Sequence, residues 1–294
     1  MVYPPPAQPG RIRASIEIVK ASWAVLRKDK SLLWLPVLSF AATLVTIGLF
    51  AGGIFAVSDF DSAAGTTNSL GAPGYILLFV MYLALAVITV FFNAALISGA
   101  YERLSGGDPT LDSALGGATR RFGVLLPWAI VSATVSTILR SIQERSGLLG
   151  RLVVGIVGMA WALVTFLVLP VIVVEGLSVG DAIRRSKDLF KRTWGEQVVG
   201  NAGIGIIGVL AVVAFAPIAL LAFASGVTAI AIAGGVLWAL WTALVVTITA
   251  AMSGIFQTAL YVYASTGTPP AAYSAAAVEA AFRPKRSRSG GMWG

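Results

Sequence analysis

The 294-residue chain contains no cysteine and no histidine. A disulfide framework, thiol redox chemistry and metal sites built from Cys and His are thereby excluded. A serine nucleophile would find no imidazole to activate it and no lysine inside an apolar run. No nucleophile triad or phosphate-binding loop is present, and the sequence is read as neither an enzyme nor the holder of a cofactor. Charge is scarce as well: 12% of residues are Asp, Glu, Lys or Arg, against 57% apolar, whereas a soluble domain carries about 25% charged residues. The scarcity is uneven, because several stretches longer than a membrane span carry no charge at all. A helix needs roughly 20 apolar residues to cross a hydrocarbon core of about 30 Å. Acids and bases are missing near the middle of these stretches, which argues against ion-coupled transport and carboxylate chemistry within the bilayer. No cleavable leader is read in the Pro-rich opening MVYPPPAQPG. The apolar run that begins near Leu32 is expected to stay as an anchor.

What is present predicts an all-α fold: a polytopic bundle of about six transmembrane helices with short amphipathic interfacial helices. The spans fall at about 32–57, 75–100, 122–139, 148–174, 198–223 and 229–263. Residues 1–10 read as a disordered tail, 11–264 as the six-span membrane domain, and 265–294 as a basic, mostly disordered tail. Continuous apolar runs favour helices over barrel strands, which alternate. Gly48 with Gly52 and Ala95 with Gly99 are read as helix-packing pairs. Orientation follows from the basic residues. Eighteen of the 21 Lys and Arg precede span one, follow spans two and four, or lie in the final tail. The other side keeps Arg140, Arg145 and Arg151. That split places both termini in the cytoplasm, and the chain is expected in the plasma membrane.

A weak repeat joins the amphipathic segments. Ile18-Val19-Lys20-Ala21-Ser22 aligns with Ala182-Ile183-Arg184-Arg185-Ser186, and a shorter copy runs from Ser113-Ala114-Leu115 to Arg121-Phe122. The reading is three units of interfacial helix plus helical hairpin. In the third copy Ser178 and Asp181 form a capping-box-like start. Val179, Ala182, Ile183, Ser186, Phe190 and Trp194 share one face, with charged residues opposite. Arg184, Arg185, Lys191 and Arg192 are therefore the candidate contacts for anionic lipid headgroups. A solvated connector held by pairs such as Arg184–Asp188 is the alternative. A loop this short, tied to the bilayer at both ends, is no nucleic-acid surface. Asp108 as N-cap and Pro109 at the first helical position are expected to open the second copy.

Within the spans, Asn93 is the most polar side chain and the candidate intramembrane polar contact, read as a hydrogen bond to a neighbouring helix. Pro127, Pro170 and Pro217 are expected to kink their helices, and Gly234-Gly235 to break the last run, which is overlong for one crossing. Arg140 and Glu144 predict a helical continuation with a surface ion pair.

These residues together resemble an uncharacterised prokaryotic family of six-span membrane proteins, a domain of unknown function. The resemblance rests on Ala21-Ser22-Trp23 through Leu26-Arg27-Lys28-Asp29-Lys30 with Leu35-Pro36, on Phe92-Asn93-Ala94-Ala95-Leu96, and on Gly107-Asp108-Pro109-Thr110. It continues in Ile138-Leu139-Arg140 with Glu144-Arg145, in Leu169-Pro170 with Val174-Glu175-Gly176, and in Thr193-Trp194-Gly195-Glu196 with Gly200-Asn201. It covers about residues 12–265. At greater distance the chain is similar to membrane domains attached to some glycerophosphodiester phosphodiesterases, without their catalytic domain. The resemblance implies a fold and a membrane, and no activity. The expected role is a non-catalytic scaffold, accessory subunit or lipid-organising element. The alternative is a small permease for a neutral or lipidic solute. Expected partners are membrane lipids, with anionic headgroups on the cytoplasmic side, and another membrane protein.

Overall fold

In lipid the backbone must satisfy its own polar groups, and a continuously apolar run does so as a helix. The computed structural model describes residues 11–57, 59–61, 66–69, 71–192, 197–271 and 273, and it is helical almost throughout. The helices are α1 (Arg11–Lys28), α2 (Ser31–Val57), α3 (Ala72–Leu104), α4 (Leu111–Arg120), α5 (Phe122–Arg145), α6 (Leu148–Thr165), α7 (Val168–Glu175), α8 (Val179–Arg192), α9 (Gln197–Ala224) and α10 (Thr228–Thr266). Six segments among the described residues are long and apolar enough to cross a membrane, α6 and α7 together making one of them. One element was not legible in the sequence: β1 (Asp59–Asp61) pairs antiparallel with β2 (Thr66–Ser69) between the first two spans. Strands of three and four residues are too short to show a period.

The chain divides into two compact units, residues 29–188 and residues 1–28 with 189–294. In the first, α2 and α3 form a hairpin, α4 lies against both, and α3 also packs on α5 and α7. The buried side chains gather at one end of the spans: Leu32 and Leu35 at the start of α2, Ala94 to Ile97 late in α3, Leu125 early in α5, and Leu167 to Ile172. The remaining lengths of these spans are apolar and largely exposed. Lipid is as apolar as leucine, so span middles need no protein neighbour, while the layer holding polar groups does. Ala95 and Gly99 are buried there as expected, and a Cβ on Gly99 would lie 2.7 Å from Leu32 and 3.2 Å from Ala114. Gly48 and Gly52 differ from the expectation, for a Cβ added at either would meet no other part of the protein within 4 Å.

In the second unit α1 packs on α9 and α10, which form a hairpin. The sequence suggested a break at Gly234-Gly235. Instead α10 is one unbroken helix of 39 residues, about 58 Å at 1.5 Å per residue. Gly234 abuts Ala222 of α9 with no room for a side chain, so glycine serves a close helix crossing. The excess length is used at the other end, where Ala251 to Ala264 is mostly buried and Ile18 of α1 meets Phe256 and Leu260. Packed chain continues past α10 to Tyr273, beyond the expected tail boundary at 265. The expected tail residues 1–10 and 274–294 lie outside the described residues.

Pro127 and Pro217 sit inside α5 and α9. Pro170 follows a true interruption at residues 166 and 167, which splits span four into α6 and α7. The freed backbone groups find a side chain: the Leu167 N–H donates to the Ser186 hydroxyl oxygen at 3.2 Å, and that hydroxyl donates to the Val164 carbonyl at 2.5 Å.

The repeat extends to position. Ile18, Ala114 and Ala182 correspond and are buried, as are Ser22, Ala118 and Ser186 four residues on. The second helix of each hairpin ends at or beside a left-handed glycine, Gly106, Gly176 or Gly267. The docking is offset by one unit. α4 lies on the first hairpin, Ser186 of α8 on the second, and α1 on the third.

Candidate membrane-interface site

α8 begins as its sequence requires. The Ser178 hydroxyl accepts the Asp181 N–H at 3.3 Å and donates to the Asp181 carboxylate at 2.7 Å. This satisfies one of the free N–H groups at the helix start. Ala182, Ser186, Leu189 and Phe190 are buried, whereas Arg184, Lys187, Asp188 and Lys191 are exposed. Of the four candidate lipid contacts, Arg184 fits best: its side chain is 80% exposed. It pairs with Asp181 at 3.2 Å, not with Asp188 as the spacing suggested. Lys191 is exposed too, and the Arg192 side chain lies outside the described residues.

Arg185 is a correction. Its guanidinium donates to both Glu175 carboxylate oxygens, at 3.1 and 3.2 Å, and the side chain is only 36% exposed. It ties the start of α8 to the end of α7, so its Nε is given to Glu175 and not to a headgroup. The exposed basic surface of α8 therefore consists of Arg184, Lys187 and Lys191, among residues whose side chains are described. Trp194 lies outside that set.

Asn93 is a second correction. It sits on an exposed face of α3, and its side chain makes no hydrogen bond among the described residues. The alternation of Phe92-Asn93-Ala94 gave no way to tell which face turns inward. Ala94 to Ile97 and Gly99 carry the contact instead. In span three, Ser132 donates to the carbonyl of Ala129 in its own helix at 3.1 Å, which leaves no polar hook for a ligand.

The structure assembles a polar junction that the sequence did not single out. Asp29 follows α1 with its side chain 5% exposed, and Arg103 near the end of α3 donates to both of its carboxylate oxygens. The same guanidinium reaches Asp108 at 2.6 Å. Ser31 donates to the Pro109 carbonyl at 3.2 Å, and Ser113 donates to Glu102 at 2.8 Å. The N-cap of α4 is Thr110, in a reciprocal capping box with Ser113 at 3.0 Å each way. Asp108 is thus an ion-pair partner two residues before the cap, and Pro109 precedes the helix instead of opening it. A matching device lies beyond α7. Arg121 donates to the Val173 carbonyl at 3.3 Å, and its guanidinium lies over Gly176 and leaves no space there for a Cβ. Asp29 and Ser31 are thus joined to Asp108 and Pro109, distant in sequence, through Arg103 and a direct hydrogen bond.

Residues 72–271 match the family model described as "Family of unknown function (DUF6159)". The chain belongs to this family. The match begins at α3 and ends just past α10, so the second and third repeats lie within it and α1 and α2 before it. No curated protein and no solved structure matches the chain. The DUF6159 core thus includes Arg103 with Asp108, Glu175 with Arg185, and Ser186 at the α6–α7 interruption, whereas Asp29 lies upstream.

In these junctions the acids are paired with arginines or helix caps, and the hydroxyls are bonded to backbone, carboxylate or tyrosine. Chemically such pairs can hold neighbouring helices together within each unit.

Proposed function

We propose that this DUF6159 protein is a non-catalytic scaffold, accessory subunit or lipid-organising element of the plasma membrane, with both termini in the cytoplasm. One observation supports this most. Apart from Thr242 Oγ1, every fully buried side-chain polar atom among the described residues has a hydrogen-bond partner. Buried polar groups are thus used up within helices, as Thr258 is, or between them, as Ser186 is. A pathway for a polar solute needs buried polar groups left over for that solute. The likeness to membrane domains of some glycerophosphodiester phosphodiesterases belongs to the same reading, since those domains also set interfacial helices ahead of spans.

Co-purification in mild detergent tests the accessory role: a bound membrane protein or a fixed lipid complement is expected. Proteoliposomes should show no solute flux under an imposed pH or sodium gradient. Gradient-driven flux by the purified chain would replace this reading with the permease. Orientation is tested with single cysteines, which the chain lacks. A cysteine at Gly147 should react with an impermeant thiol reagent outside intact cells. Cysteines at Ser105 and Lys187, both exposed, should not. Ser186 is unsuited to this test because it is buried.

A further inference from the structure

The α9–α10 hairpin carries a groove whose contents its chemistry identifies. It is about 320 Å³ in volume, within the range of small-ligand sites, roughly 300–1,000 Å³. Val19 and Trp23 of α1 close one end, beside Ile204 and Met252, and Trp241 with Ala211 closes the other. From Met252 to Trp241 the wall is 11 residues of helix, about 16 Å. The groove therefore starts at an amphipathic helix and runs along a span. Its lining is almost wholly apolar, and the indole N–H of Trp241 is already given to the Ala211 carbonyl at 3.0 Å, so no polar group inside calls for a polar ligand. Gly208 forms the floor: a Cβ there would meet Thr249 Oγ1 at 2.8 Å.

The mouth is different in charge. At about 100° per residue, Val19, Trp23, Arg27 and Lys20 lie in that order around one flank of α1. The first two face the groove, and the last two are exposed beside it. Glu17, the only acid of α1, stands on the far side of this basic flank. A ligand here meets cations next to an indole at the surface, then a slot about 16 Å long whose lining is almost wholly apolar. We infer that this groove binds one anionic phospholipid, with its headgroup phosphate on Lys20 and Arg27 beside Trp23, and one acyl chain in the slot between α9 and α10. Both halves of such a lipid are matched, cations at the mouth and apolar wall beyond. A neutral lipid leaves the cations unused. A partner helix, at about 10 Å in diameter, would need a far wider trough. The inference adds to the proposed function without depending on it, because a scaffold and a permease can hold such a lipid equally.

The test uses the full chain with p-benzoylphenylalanine in place of Ile207, which lines the groove. The protein is placed in vesicles containing a minority of phosphatidylglycerol in phosphatidylcholine with the same acyl chains, illuminated, and weighed intact by mass spectrometry. A phospholipid adduct is expected, with phosphatidylglycerol enriched over its bilayer fraction. One basic residue near an anionic group gives roughly a fivefold preference. Lys20→Gln with Arg27→Gln should return the adduct ratio to the bilayer composition, whereas Arg140→Gln on α5, an exposed arginine away from the groove, should leave the enrichment in place. A parent ratio equal to the bilayer composition would overturn the inference. So would enrichment that survives loss of both cations, or a cross-link to protein in place of lipid. Flux measurements decide the proposed function separately, so neither failure can be taken for the other.

Discussion

α1 and α8 are copies of one pattern that solve the same problem with different partners. Both bury a serine at the same register position, and both surround it with apolar residues one turn away. Ser186 bonds backbone, closing the gap that separates α6 from α7. Ser22 bonds a side chain, the hydroxyl of Tyr273, at 2.9 Å. The ion pairs beside them differ too. Asp29, just after α1, is almost wholly buried against Arg103, while Glu175, just before α8, is partly exposed against Arg185. A repeat therefore conserves which face is buried without conserving what the buried hydroxyl is for. The middle copy makes the same point from the other direction. Ala118 occupies the serine position in α4, where Gly99 and Ala114 meet too closely to need a polar clasp.

The ion pairs give the largest test of this difference. Removing one partner of a buried pair costs about 3–5 kcal/mol, because the other charge is left in a poor solvent. Asp29→Ala should fall at the low end, since Arg103 keeps Asp108. Exposed pairs are worth about 0–1 kcal/mol, so Glu175→Gln should lower the melting temperature in detergent far less. Equal losses would show that burial does not separate the two junctions.

The serines come next. Ser186→Ala strands the Leu167 N–H and the Val164 carbonyl, each unpaired buried group costing about 1–3 kcal/mol. No second substitution can relieve it, because the partners are backbone. Ser22→Ala should cost about as much per stranded group, but adding Tyr273→Phe should recover most of the loss, since removing both partners is nearly neutral. A double variant no more stable than Ser22→Ala alone would mean that the hydroxyl pair is incidental to the docking of α1.

Tyr273 adds a pH dependence that α8 has no means to show. Burial pushes its hydroxyl well above the ordinary tyrosine range, because an anion there would lose its water. The folded state thus prefers the neutral form. The stability this contributes is complete below the unfolded value of about 10 and declines as pH rises above it. Tyr273→Phe should flatten the alkaline arm of a melting-temperature profile. An unchanged arm would place the sensitivity elsewhere. The smallest effect is expected at Asn93. Being exposed and without a partner among the described residues, Asn93→Ala should change stability by less than about 0.5 kcal/mol. A loss above about 1 kcal/mol would restore the helix-packing role first read from its polarity.

Much of the architecture was legible in the residues alone, for reasons peculiar to lipid. An apolar run of span length has few alternatives to a helix, so six spans followed from composition. The interfacial helices followed from residues alternating at helical period, and the extension of α5 to Arg145 from the spacing of Arg140 and Glu144, which pair at 3.5 Å. The contacts among helices were a different matter. Gly48-Gly52 and Ala95-Gly99 are equivalent as strings, yet one pair meets open space and the other a leucine and an alanine. In a chain with 32 glycines, spacing alone cannot tell a packed pair from an idle one. Arg185 and Arg184 are neighbours of one type, and only the position of Glu175 separates the anchored residue from the exposed one.

By itself, then, the sequence determined the class of solvent around the spans, their number and the basic bias between their ends. Each of these depends on residue type summed over a long window, and such sums survive without coordinates. The tertiary structure decided which hairpin each interfacial helix lies on, that Asp29 and Asp108 share Arg103, and that Ser186 bridges a broken span. It also opened a slot beside Gly208. These depend on single side chains brought within about 3 Å of partners far along the chain. Such a distance is a property of packing, which no window of residues contains.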